Sequence, residues 1–576
     1  MSTVDAIVLA GGRATRMGGV DKPGLVVGGQ SMLESALAAV ASCARTVVVG
    51  PRRPELNSAI RQVQEIPAGA GPVAAVASGL RALADCDFPA GLVVVLAADL
   101  PFLTAAAVDD LVAQATASGV DAVFAADEAG RPQYLVGAWR ATALRDAVDS
   151  LDTLVNQPMK ALVPADTLMV PVGGVTDCDT PDEVRRARAQ AAPVELDEAR
   201  NLVRRTLTPV PDRETNVRSA LGGVLAEPLV AAEALPRFDV SAMDGYAVSG
   251  PSPWRLRRDV GFAGGERPIG LLPGEAVRIA TGAHVPEGTE RVLRDEFSRI
   301  EDELLHQLPD TPEREDVRRR GEDWLPGDEI APAGTPVTAA VVSVAAAAEV
   351  GSVRVRGPIR ARIVMTGDEI RGEGPLHPGQ TRDSIGPVLP ILAAALGISA
   401  VERVHLRDTA GAFDELLSAA ADCDLIVIVG ATGGGAADQL RDALDRTGAR
   451  LLVQRLRMRP GGSTIIAETR SGTAVLGLPG NPYAAVATLL ALGPALVDGL
   501  TARLPTRRRT VALRNAGTVS EQVPRIVPVH AVDDGWVGDP QVRTAHLAAL
   551  LNRDGLVIVP PGLTDGAEVE FIPLPG

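Results

Sequence analysis

Ile7 to Lys22 reads I-V-L-A-G-G-R-A-T-R-M-G-G-V-D-K, an apolar strand that runs directly into a glycine-rich loop ending in Asp-Lys. Glycines let backbone N–H groups approach phosphate oxygens closely, and the two arginines and the lysine neutralise phosphate charge. The spacing from Gly12 to Lys22 does not fit G-x-x-x-x-G-K-[ST], so a Walker A loop is excluded. The stretch therefore predicts an α/β domain with a nucleoside triphosphate site after its first strand.

The surrounding residues, 1–190, alternate short apolar strands with helical stretches. This alternation predicts a three-layer α/β/α domain, with a mostly parallel sheet covered by helices on both faces. Ligands bind at the carboxyl ends of the strands in such sheets, and Gly11 and Asp99 both fall there. Predicted strands are Ala6–Ala10, Thr46–Gly50, Leu92–Ala97 and Asp121–Ala125, and predicted helices are Ser31–Ala41, Ala105–Ala117 and Thr180–Arg188.

Along the rest of the chain, the residue pattern and the secondary structure that it predicts change several times, which predicts an α/β multidomain protein. At 576 residues a single core is implausible. We expect a linker and helix start at 191–205, lobes at 206–355 with a β-rich part at Val260–Ala333, an α/β domain at 356–503, and a β domain at 504–576. Within the α/β domain the predicted strands are Ala361–Met365 and Leu425–Val429, and the predicted long helix is Asn481–Leu492.

Composition excludes several classes of function. The net charge is −16 and aromatic residues make up only 3%, which argues against a nucleic-acid binder. The four cysteines are far apart, and the six histidines form no H-x-H or H-x-x-x-H pair, so neither a disulfide framework nor a histidine metal site is indicated. No signal-type N-terminus and no apolar run of membrane-spanning length is found. We therefore expect a cytoplasmic protein with no membrane contact.

The first 190 residues resemble the MobA-type nucleotidyltransferases, the molybdenum cofactor guanylyltransferases. The resemblance starts with L-A-G-G-x-x-x-R-M-G-x-x-D-K and continues in Gly71–Leu80, Leu96–Pro101, Arg131–Leu135 and Asp177–Pro181. It implies that a substrate phosphate attacks the α-phosphorus of GTP and that pyrophosphate leaves. Such a reaction needs no protein nucleophile, because Mg²⁺ and basic side chains neutralise charge and align the groups.

The resemblance also assigns roles to single residues. Arg16 and Lys22 contact phosphates, and Asp99 binds Mg²⁺. We expect Asp21 to orient Lys22, and Asp179 to act as a helix cap before Pro181 rather than as a ligand. The full predicted nucleotide-binding set is Leu9, Ala10, Gly11, Gly12, Arg16, Lys22 and Asp99, with Gly18 shaping the loop.

A second motif begins at Pro236, where the chain reads P-R-F-D-V-S-A-M-D-G-Y-A-V. Its residues offer a serine, two acids and a tight Asp-Gly turn, with Phe238 and Met243 as apolar anchors. The string resembles the signature of MoeA-type molybdopterin molybdenumtransferases, which are related to the second half of gephyrin. This resemblance covers about 195–576 and implies a homodimer that inserts molybdate into adenylated molybdopterin and releases AMP.

Further segments match the same family at Arg278–Ala283, Arg319–Asp323, Met365–Glu369 and Gly477–Pro482. The resemblance implies that acids hold Mg²⁺ or manage protons, while helix N-termini and arginines hold the anions. The predicted catalytic acids are Asp244, Glu322, Asp368 and Asp438, with Glu322 and Asp368 as metal ligands. The predicted molybdopterin-binding residues are Ser241, Thr281, Asp383, Arg459, Pro460, Gly461, Pro479 and Asn481.

The chain departs from the MoeA pattern at four positions. Ala431 and Gly433 stand in the glycine-rich loop, where Gly433 replaces the family's serine; Gly462 replaces a lysine, and Ile385 replaces an asparagine. A missing lysine removes a point charge for a phosphate or molybdate. Two interpretations of this half stay open: intact molybdenum insertion, or a degenerate scaffold that binds the cofactor without turnover.

Taken together, the resemblances predict a bifunctional enzyme that uses Mg²⁺, GTP, adenylated molybdopterin and molybdate. The alternatives for the first half are a cytidylyltransferase acting on the pterin and a sugar-phosphate nucleotidyltransferase. We expect a homodimer through the second half and transient contact with acceptor molybdoenzymes.

Overall fold

The computed structural model describes residues 3–11, 21–54, 56–84, 90–127, 129–407, 409 and 411–575, with backbone only at 181, 185, 189 and 434–438. The chain forms two compact units. Unit 1 contains residues 1–207, 360–496 and 507–576, and unit 2 contains residues 208–359 and 497–506. Unit 1 is thus built from three separated segments. The sheets and helices described below confirm the predicted α/β multidomain fold class.

The first segment of unit 1 is a seven-stranded sheet between two helical layers. The strand order is β5-β4-β1-β6-β8-β7-β9, and β8 runs antiparallel to both of its neighbours. The elements are β1 (Val4–Leu9), β2 (Val26–Val27), β3 (Gln30–Ser31), α1 (Met32–Ala39), β4 (Arg45–Val49), β5 (Arg61–Val63), α2 (Pro72–Ala84), β6 (Leu92–Ala97), α3 (Ala105–Ser118), β7 (Ala122–Ala126), β8 (Pro132–Arg140), α4 (Ala141–Asp149), β9 (Thr167–Pro171) and α5 (Pro181–Gln190).

A hydrophobic core lies on each face of this sheet, as the buried, nearly continuous apolar strands require. Leu33 of α1 and Leu111 of α3 pack on one face, while Val76 of α2 and Leu144 of α4 pack on the other. Trp139 is fully buried and meets Phe124 edge to face with ring centroids 4.9 Å apart. Trp139 is therefore a packing residue of this core.

Side-chain caps set the start of α1 and α5. Ser31 and Glu34 form a reciprocal capping box at α1, and Thr180 and Glu183 form one at α5. The prediction that Asp179 caps the second helix is wrong, because the Thr180 hydroxyl accepts the Glu183 N–H and occupies the cap position. The carboxylate of Asp179 instead contacts Lys22.

A short linker leads from α5 into α6 (Leu196–Thr206), which is strongly amphipathic. Its apolar residues are buried, and Arg200 among them is only 4% exposed. The Arg200 guanidinium contacts both carboxylate oxygens of Glu570 at 2.8 and 2.9 Å and donates to the Ala491 carbonyl. Helix α6 is thereby fixed to later parts of unit 1.

Unit 2 consists mainly of short antiparallel strands, as predicted for its β-rich part. Its largest sheet has six strands in the order β17-β14-β16-β15-β19-β18. The elements are β10 (Arg213–Asn216), β11 (Val224–Leu225), β12 (Leu229–Val230), β13 (Val240–Ser241), β14 (Gly245–Val248), β15 (Trp254–Gly261), β16 (Glu275–Ile279), β17 (Arg291–Arg294), β18 (Ser298–Glu301), β19 (Leu304–Gln307), β20 (Val317–Arg318), β21 (Glu329–Ala331), α7 (Ala339–Ala347) and β22 (Ser352–Arg356).

The chain then forms a second α/β sheet, in the order β26-β23-β27-β30-β29-β28. Strands β23, β27 and β30 are parallel and in register, so that Met365, Val429 and Leu478 lie side by side near one edge. The elements are β23 (Ile359–Thr366), β24 (Ile370–Arg371), β25 (Thr381–Arg382), α8 (Leu389–Ala395), β26 (Ile398–Leu406), α9 (Ala412–Ser418), β27 (Leu425–Val429), α10 (Gly434–Arg446), β28 (Arg450–Val453), β29 (Ile465–Glu468), β30 (Ala474–Leu478) and α11 (Pro482–Thr501).

Helix α11 is longer than predicted and continues past Pro494. It is long and apolar enough to cross a membrane, but 94% of its apolar window is buried inside the protein, as in a core helix. Burial of Leu496 and Leu500 outweighs the proline, which alone would disfavour a helix interior.

The last segment closes into a small barrel, which agrees with the predicted β domain. Its interior holds Leu513, Val527, Val557 and Val569, all buried. The elements are β31 (Arg509–Leu513), α12 (Ala516–Val519), β32 (Arg525–Val532), β33 (Gly535–Gly538), β34 (Gly555–Val559) and β35 (Ala567–Pro573).

Candidate functional sites

The first candidate site lies at the carboxyl ends of β1, β4 and β6. The N–H of Ala10 donates to the Val49 carbonyl at 2.8 Å, and the Leu9 carbonyl accepts the Ala98 N–H at 2.9 Å. The chain is therefore held on both sides up to Gly11, which is exposed. Gly12, Arg16 and Gly18 of the predicted site lie outside the described residues.

Gly50 supports the start of this loop from the neighbouring strand. Its φ is +156°, and an added Cβ would lie 2.7 Å from the carbonyl carbon of Ala10 and 2.8 Å from the N of Gly11. The loop can occupy its position because residue 50 has no side chain.

We expect Gly50→Ala to lower the free energy of unfolding by about 1–3 kcal/mol, because only glycine adopts this backbone region without strain. We also expect weaker nucleotide binding, since Ala10 and Gly11 must move. Thermal melts and titration with a fluorescent nucleotide measure the two effects. Gly173→Ala is the control, because nothing lies within 4 Å of a Cβ there; equal behaviour of the two variants would contradict the prediction.

Lys22 lies between two carboxylates at the same edge of the sheet. Its Nζ is 2.5 Å from Asp99 Oδ2 and 2.6 Å from Asp179 Oδ1, and its side chain is 15% exposed. Burial alone lowers the pKa of Lys22, but the charges and hydrogen bonds of Asp99 and Asp179 outweigh it and raise the pKa. The lysine is therefore held as an ammonium ion, as a phosphate contact requires.

Asp21 does not orient Lys22 through its side chain, contrary to the prediction. Its carboxylate forms a two-pronged ion pair with the guanidinium of Arg53, with distances of 2.8 and 2.5 Å. A planar guanidinium matches a carboxylate in this way and fixes its direction. Asp21 thus anchors the turn at Lys22–Gly24, while Asp99 and Asp179 hold the lysine itself.

Further acids surround Lys22. Partial burial and the negative charges of Asp179 and Asp99 raise the pKa of Asp177. Burial, followed by the charge of Asp99, raises the pKa of the neighbouring Cys178 thiol to about 11. Among the described residues, Asp99, Asp177 and Asp179 thus place three carboxyl groups around Lys22.

Glu65 is a candidate that the sequence analysis missed. It follows β5 at the same edge of the sheet and is only 5% exposed. Its Oε1 accepts the Gly69 N–H at 2.9 Å, while its Oε2 is buried with no hydrogen-bond partner among the described residues. Both oxygens lie within 4 Å of the Cβ position of Gly11. Glu65 therefore offers an acceptor to a ligand on the loop; its only sequence signal is an acid after a short strand.

A magnesium ion fits the donor set around Lys22. Among the described residues, no group of three or more His, Cys, Asp or Glu side chains is arranged to hold a metal. Mg²⁺, however, is commonly held by one or two carboxylates together with substrate phosphates and water. Asp99 and Asp179, which already share one ammonium ion, supply two such carboxylates.

A further set of three predicted residues is brought together within unit 2. Asp244 Oδ1 accepts the Thr281 N–H at 2.7 Å and its hydroxyl at 2.9 Å, and these bonds lower the pKa of Asp244. The buried Ser241 is close by, because its carbonyl accepts the Gly282 N–H. Its hydroxyl donates to the Met243 carbonyl and so holds its own turn.

Glu322 lies beside the same motif through strand pairing. Strand β13 pairs with β20, and Asp239 accepts the Arg320 N–H at 2.8 Å and an Arg319 guanidinium N–H at 3.0 Å. Glu322 itself accepts the Arg319 N–H at 3.0 Å and is exposed. The turn that contains Arg319, Arg320 and Glu322 is therefore hydrogen-bonded to the motif that begins at Pro236, within unit 2.

Phe238 is not the buried anchor that the sequence predicts. Its side chain is 43% exposed and stacks on His284, with ring centroids 4.1 Å apart. Burial and the positive charge of Arg267 lower the pKa of His284, so this stacked pair presents a neutral, flat surface.

In unit 1, the parallel strands bring another set of predicted residues to one edge of the second sheet. Asp368 follows β23 and is exposed; Pro479 and Asn481 follow β30 and precede α11. Gly430 has φ +102°, and its Cβ would lie 2.6 Å from Thr366 Oγ1, so the ends of β23 and β27 approach closely. The N-termini of α10 and α11 both follow strands that end here, which suits an anionic ligand.

Two more loops reach the same edge. The Thr432 and Ser463 hydroxyls are 3.0 Å apart and join the glycine-rich loop to the loop of Arg459, Pro460 and Gly461. Gly461 has φ +109°, and a Cβ there would lie 2.4 Å from Thr488 Oγ1. Asp438 lies in the first turns of α10, and its side chain is outside the described set.

The segment of Asp383 returns beside that of Asp368, because the Thr381 N–H donates to the Glu369 carbonyl at 2.8 Å. Asp383 Oδ1 accepts the N–H groups of Ile385 and Gly386 at 3.1 and 2.7 Å. Ile385, which replaces the family's asparagine, is buried. This departure therefore fills an apolar position and offers no polar group to a ligand.

Three family models match the chain. Residues 6–165 match the MobA-like NTP transferase domain, residues 194–351 match the MoeA N-terminal region (domain I and II), and residues 362–498 match the probable molybdopterin binding domain. The Lys22 region falls in the first of these matches, and the motifs from Ser241 to Asn481 fall in the other two.

Individual relatives agree with these models. Molybdopterin molybdenumtransferase 2 of Mycobacterium tuberculosis is 30% identical over 60% of this chain and 91% of that protein. A molybdopterin molybdenumtransferase of Nostoc sp. is 32% identical over 47% of this chain and 65% of its own length. The crystal structure of a molybdopterin biosynthesis MoeA protein from Pyrococcus horikoshii has a TM-score of 0.53 at 25% identity, covering 67% of this chain and all of that chain. The chain therefore belongs to the molybdopterin molybdenumtransferase family and carries, ahead of that part, a MobA-like NTP transferase domain.

Proposed function

We propose that this protein of molybdenum cofactor biosynthesis carries out two consecutive reactions. In the first, its second half inserts molybdate into adenylated molybdopterin and releases AMP. In the second, its first domain transfers GMP from GTP to the molybdenum–molybdopterin phosphate and releases pyrophosphate. The observation that carries the proposal is Lys22, held as an ammonium ion by Asp99 and Asp179 in a domain joined to a molybdopterin-binding domain.

In the nucleotidyltransferase domain, we assign catalysis mainly to neutralisation of the phosphate charge. Lys22 is placed to contact phosphate oxygens, and the backbone after Leu9 approaches the nucleotide. Asp99 and Asp179 would hold Mg²⁺, which supplies positive charge to the phosphates when it is bound. Glu65 offers a buried acceptor to an N–H or O–H of the nucleotide, and guanine presents several such N–H donors.

In the second half, the structure supports anion binding and acid chemistry. Asp368 presents an exposed carboxylate after the end of β23, and α10 and α11 follow the neighbouring strands β27 and β30. Asp244 is kept ionised by Thr281, and Glu322 is fixed next to the signature motif. We assign these acids to Mg²⁺ and proton handling, and the loop of Arg459 to the pterin phosphate.

Two alternatives remain in competition with this proposal. In the first alternative, the first domain uses CTP with the pterin, or acts on a sugar phosphate. In the second alternative, the second half of the chain binds the cofactor without turnover. Gly433 and Gly462 motivate the latter, because each removes a polar or charged side chain from a loop at the sheet edge. Joining both sites in one chain raises the effective concentration of the molybdenum–molybdopterin intermediate at the nucleotidyltransferase site.

Product release separates these possibilities. The purified chain is supplied with molybdenum–molybdopterin and either GTP or CTP, and pyrophosphate is measured; AMP release is measured from adenylated molybdopterin with molybdate. We expect pyrophosphate with GTP and AMP from the second assay. Release with CTP alone would change the product, release with neither nucleotide would favour a sugar phosphate, and binding without AMP release would reduce the second half to a scaffold.

A further inference from the structure

Arg188 connects the NTP transferase domain with the molybdopterin-binding domain inside unit 1. It lies near the end of α5 and is 5% exposed. Its Nη1 is 2.8 and 2.7 Å from the two carboxylate oxygens of Asp445, in the last turn of α10. Its Nε donates to the Val26 carbonyl at 3.1 Å. One buried guanidinium thus binds both domains at once.

Val26 belongs to the segment that presents Lys22. The turn Lys22–Gly24 leads directly into β2, and the Leu25 N–H donates to the Lys22 carbonyl at 3.1 Å. The Leu25 carbonyl in turn accepts the Met32 N–H at the start of α1. A displacement of Val26 therefore also displaces Lys22, because the four residues from Lys22 to Leu25 form hydrogen-bonded backbone.

The protein is not tightly packed around this contact. A cavity of about 1250 Å³ lies between the two domains and is lined by Asp21 and Arg53 from one side and by Arg450 and Leu451 from the other, with Arg188 in its wall. A turn that borders a cavity has few atoms to hold it. Directional hydrogen bonds such as those of Arg188 then determine its position.

A second contact, made by Val194, also joins the two domains. Val194 of the linker pairs with the segment after β28, donating to the Arg455 carbonyl at 3.0 Å and accepting the Arg457 N–H at 2.8 Å. The Cβ position of Gly29, in the turn between β2 and β3, is 3.0 Å from a methyl carbon of Val194. The β2–β3 hairpin is thereby placed against the molybdopterin-binding domain at both ends.

We propose that Arg188 and Asp445 are positioning residues for nucleotidyl transfer, through which the molybdopterin-binding domain holds the Lys22 turn in its working place. This inference rests on the proposed function of the first domain. A guanidinium can hold a carboxylate and a backbone carbonyl in fixed directions at the same time, whereas a lysine ammonium cannot reproduce that planar geometry. The molybdopterin-binding domain thus acts on nucleotidyl transfer without touching the nucleotide.

The test uses the full chain with Arg188→Lys, and with Asp445→Asn should the first variant fail to fold. We expect the KM for GTP to rise about tenfold or more while the affinity for adenylated molybdopterin stays within twofold, since misplacing a reacting group from a distance is costly. A second readout needs no activity. The chain has only two lysines, Lys22 and the exposed Lys160, so acylation of each can be followed by peptide mass spectrometry.

The sign of the labelling result follows from the contacts of Lys22. In the intact protein, its side chain is only 15% exposed and its Nζ lies 2.5 Å from Asp99 Oδ2 and 2.6 Å from Asp179 Oδ1. When the turn moves and the lysine leaves these carboxylates, its Nζ becomes accessible to the reagent and is acylated faster. We expect the ratio of Lys22 to Lys160 labelling to rise several-fold in Arg188→Lys and in Asp445→Asn.

Arg200→Lys is the matched control, because Arg200 is equally buried and pairs with Glu570 at 2.8 and 2.9 Å, away from the Lys22 turn. It should leave the labelling ratio unchanged even if it lowers the melting temperature. Equal labelling ratios in Arg188→Lys and Arg200→Lys would overturn the inference. A wild-type chain that transfers no nucleotide would overturn the proposed function instead, and the labelling ratio would still decide the positioning role.

Discussion

Pyrophosphate release is expected to fall by about 10²–10³-fold when Lys22 is replaced by alanine, the loss found when one preorganised charge-stabilising group is removed. The ammonium ion of Lys22 lies at the strand ends, within 2.6 Å of two carboxylates, and carries charge to the place where phosphates approach. Its loss leaves Asp99 and Asp179 to repel the nucleotide. Initial rates with saturating acceptor and varied GTP measure the effect.

Lys160→Ala is the control for that experiment. Lys160 is the only other lysine of the chain and is exposed within the same domain, so its removal changes the net charge equally. It should keep the wild-type rate within about twofold, as surface changes usually do. Similar losses in both variants would show that total charge, and not the position of Lys22, governs the reaction.

AMP release from adenylated molybdopterin is expected to fall by at least about 10²-fold in Asp368→Ala, the range typical for losing a positioned acid or base. Asp368 is exposed at the end of β23, while the strand below it is fully paired and the backbone beside it is fixed by a 3.0 Å contact between His405 Nε2 and the Gly367 carbonyl. The change should therefore remove a functional group and leave the fold intact. A molybdate-dependent AMP assay and a melting curve measure the two properties.

Glu373→Ala is the companion variant, because Glu373 is an exposed acid of the same connection but lies farther along the chain. It should retain AMP release within about twofold. Full AMP release by Asp368→Ala would remove this residue from the mechanism.

Much of the fold could be predicted, because it depends on local apolar patterns. Leu92–Ala97 and Leu425–Val429 coincide with observed strands, since a short, fully apolar run between polar residues has few other options. The antiparallel course of β8 was not predicted, because strand direction depends on pairing between distant segments. The predicted long helix ends at Leu492, whereas α11 continues to Thr501, because burial of the surrounding leucines stabilises the helix past Pro494.

The candidate site shows the same division between local and distant information. The glycine-rich loop, Lys22 and Asp99 are visible as a motif, and the structure places the described members of this set at one sheet edge. The partners of these residues were not predictable: Asp21 pairs with Arg53, and Asp179 meets Lys22 across 157 positions. Glu65 has no motif at all and is recognised only by its burial and by an oxygen beside Gly11 that has no hydrogen-bond partner in the part of the chain that the structure describes.

The contact between Arg188 and Asp445 also has a consequence for biosynthesis. The two residues are 257 positions apart, and chains are synthesised at about 5–20 residues per second. For a period on the order of tens of seconds, the first domain therefore exists on the ribosome with the partner of Arg188 not yet made. During that time Arg188 can bond to Val26 of the β2–β3 hairpin but not to Asp445. The nascent chain therefore has a distinct interval in which chaperones can reach this hairpin before the later domain is present.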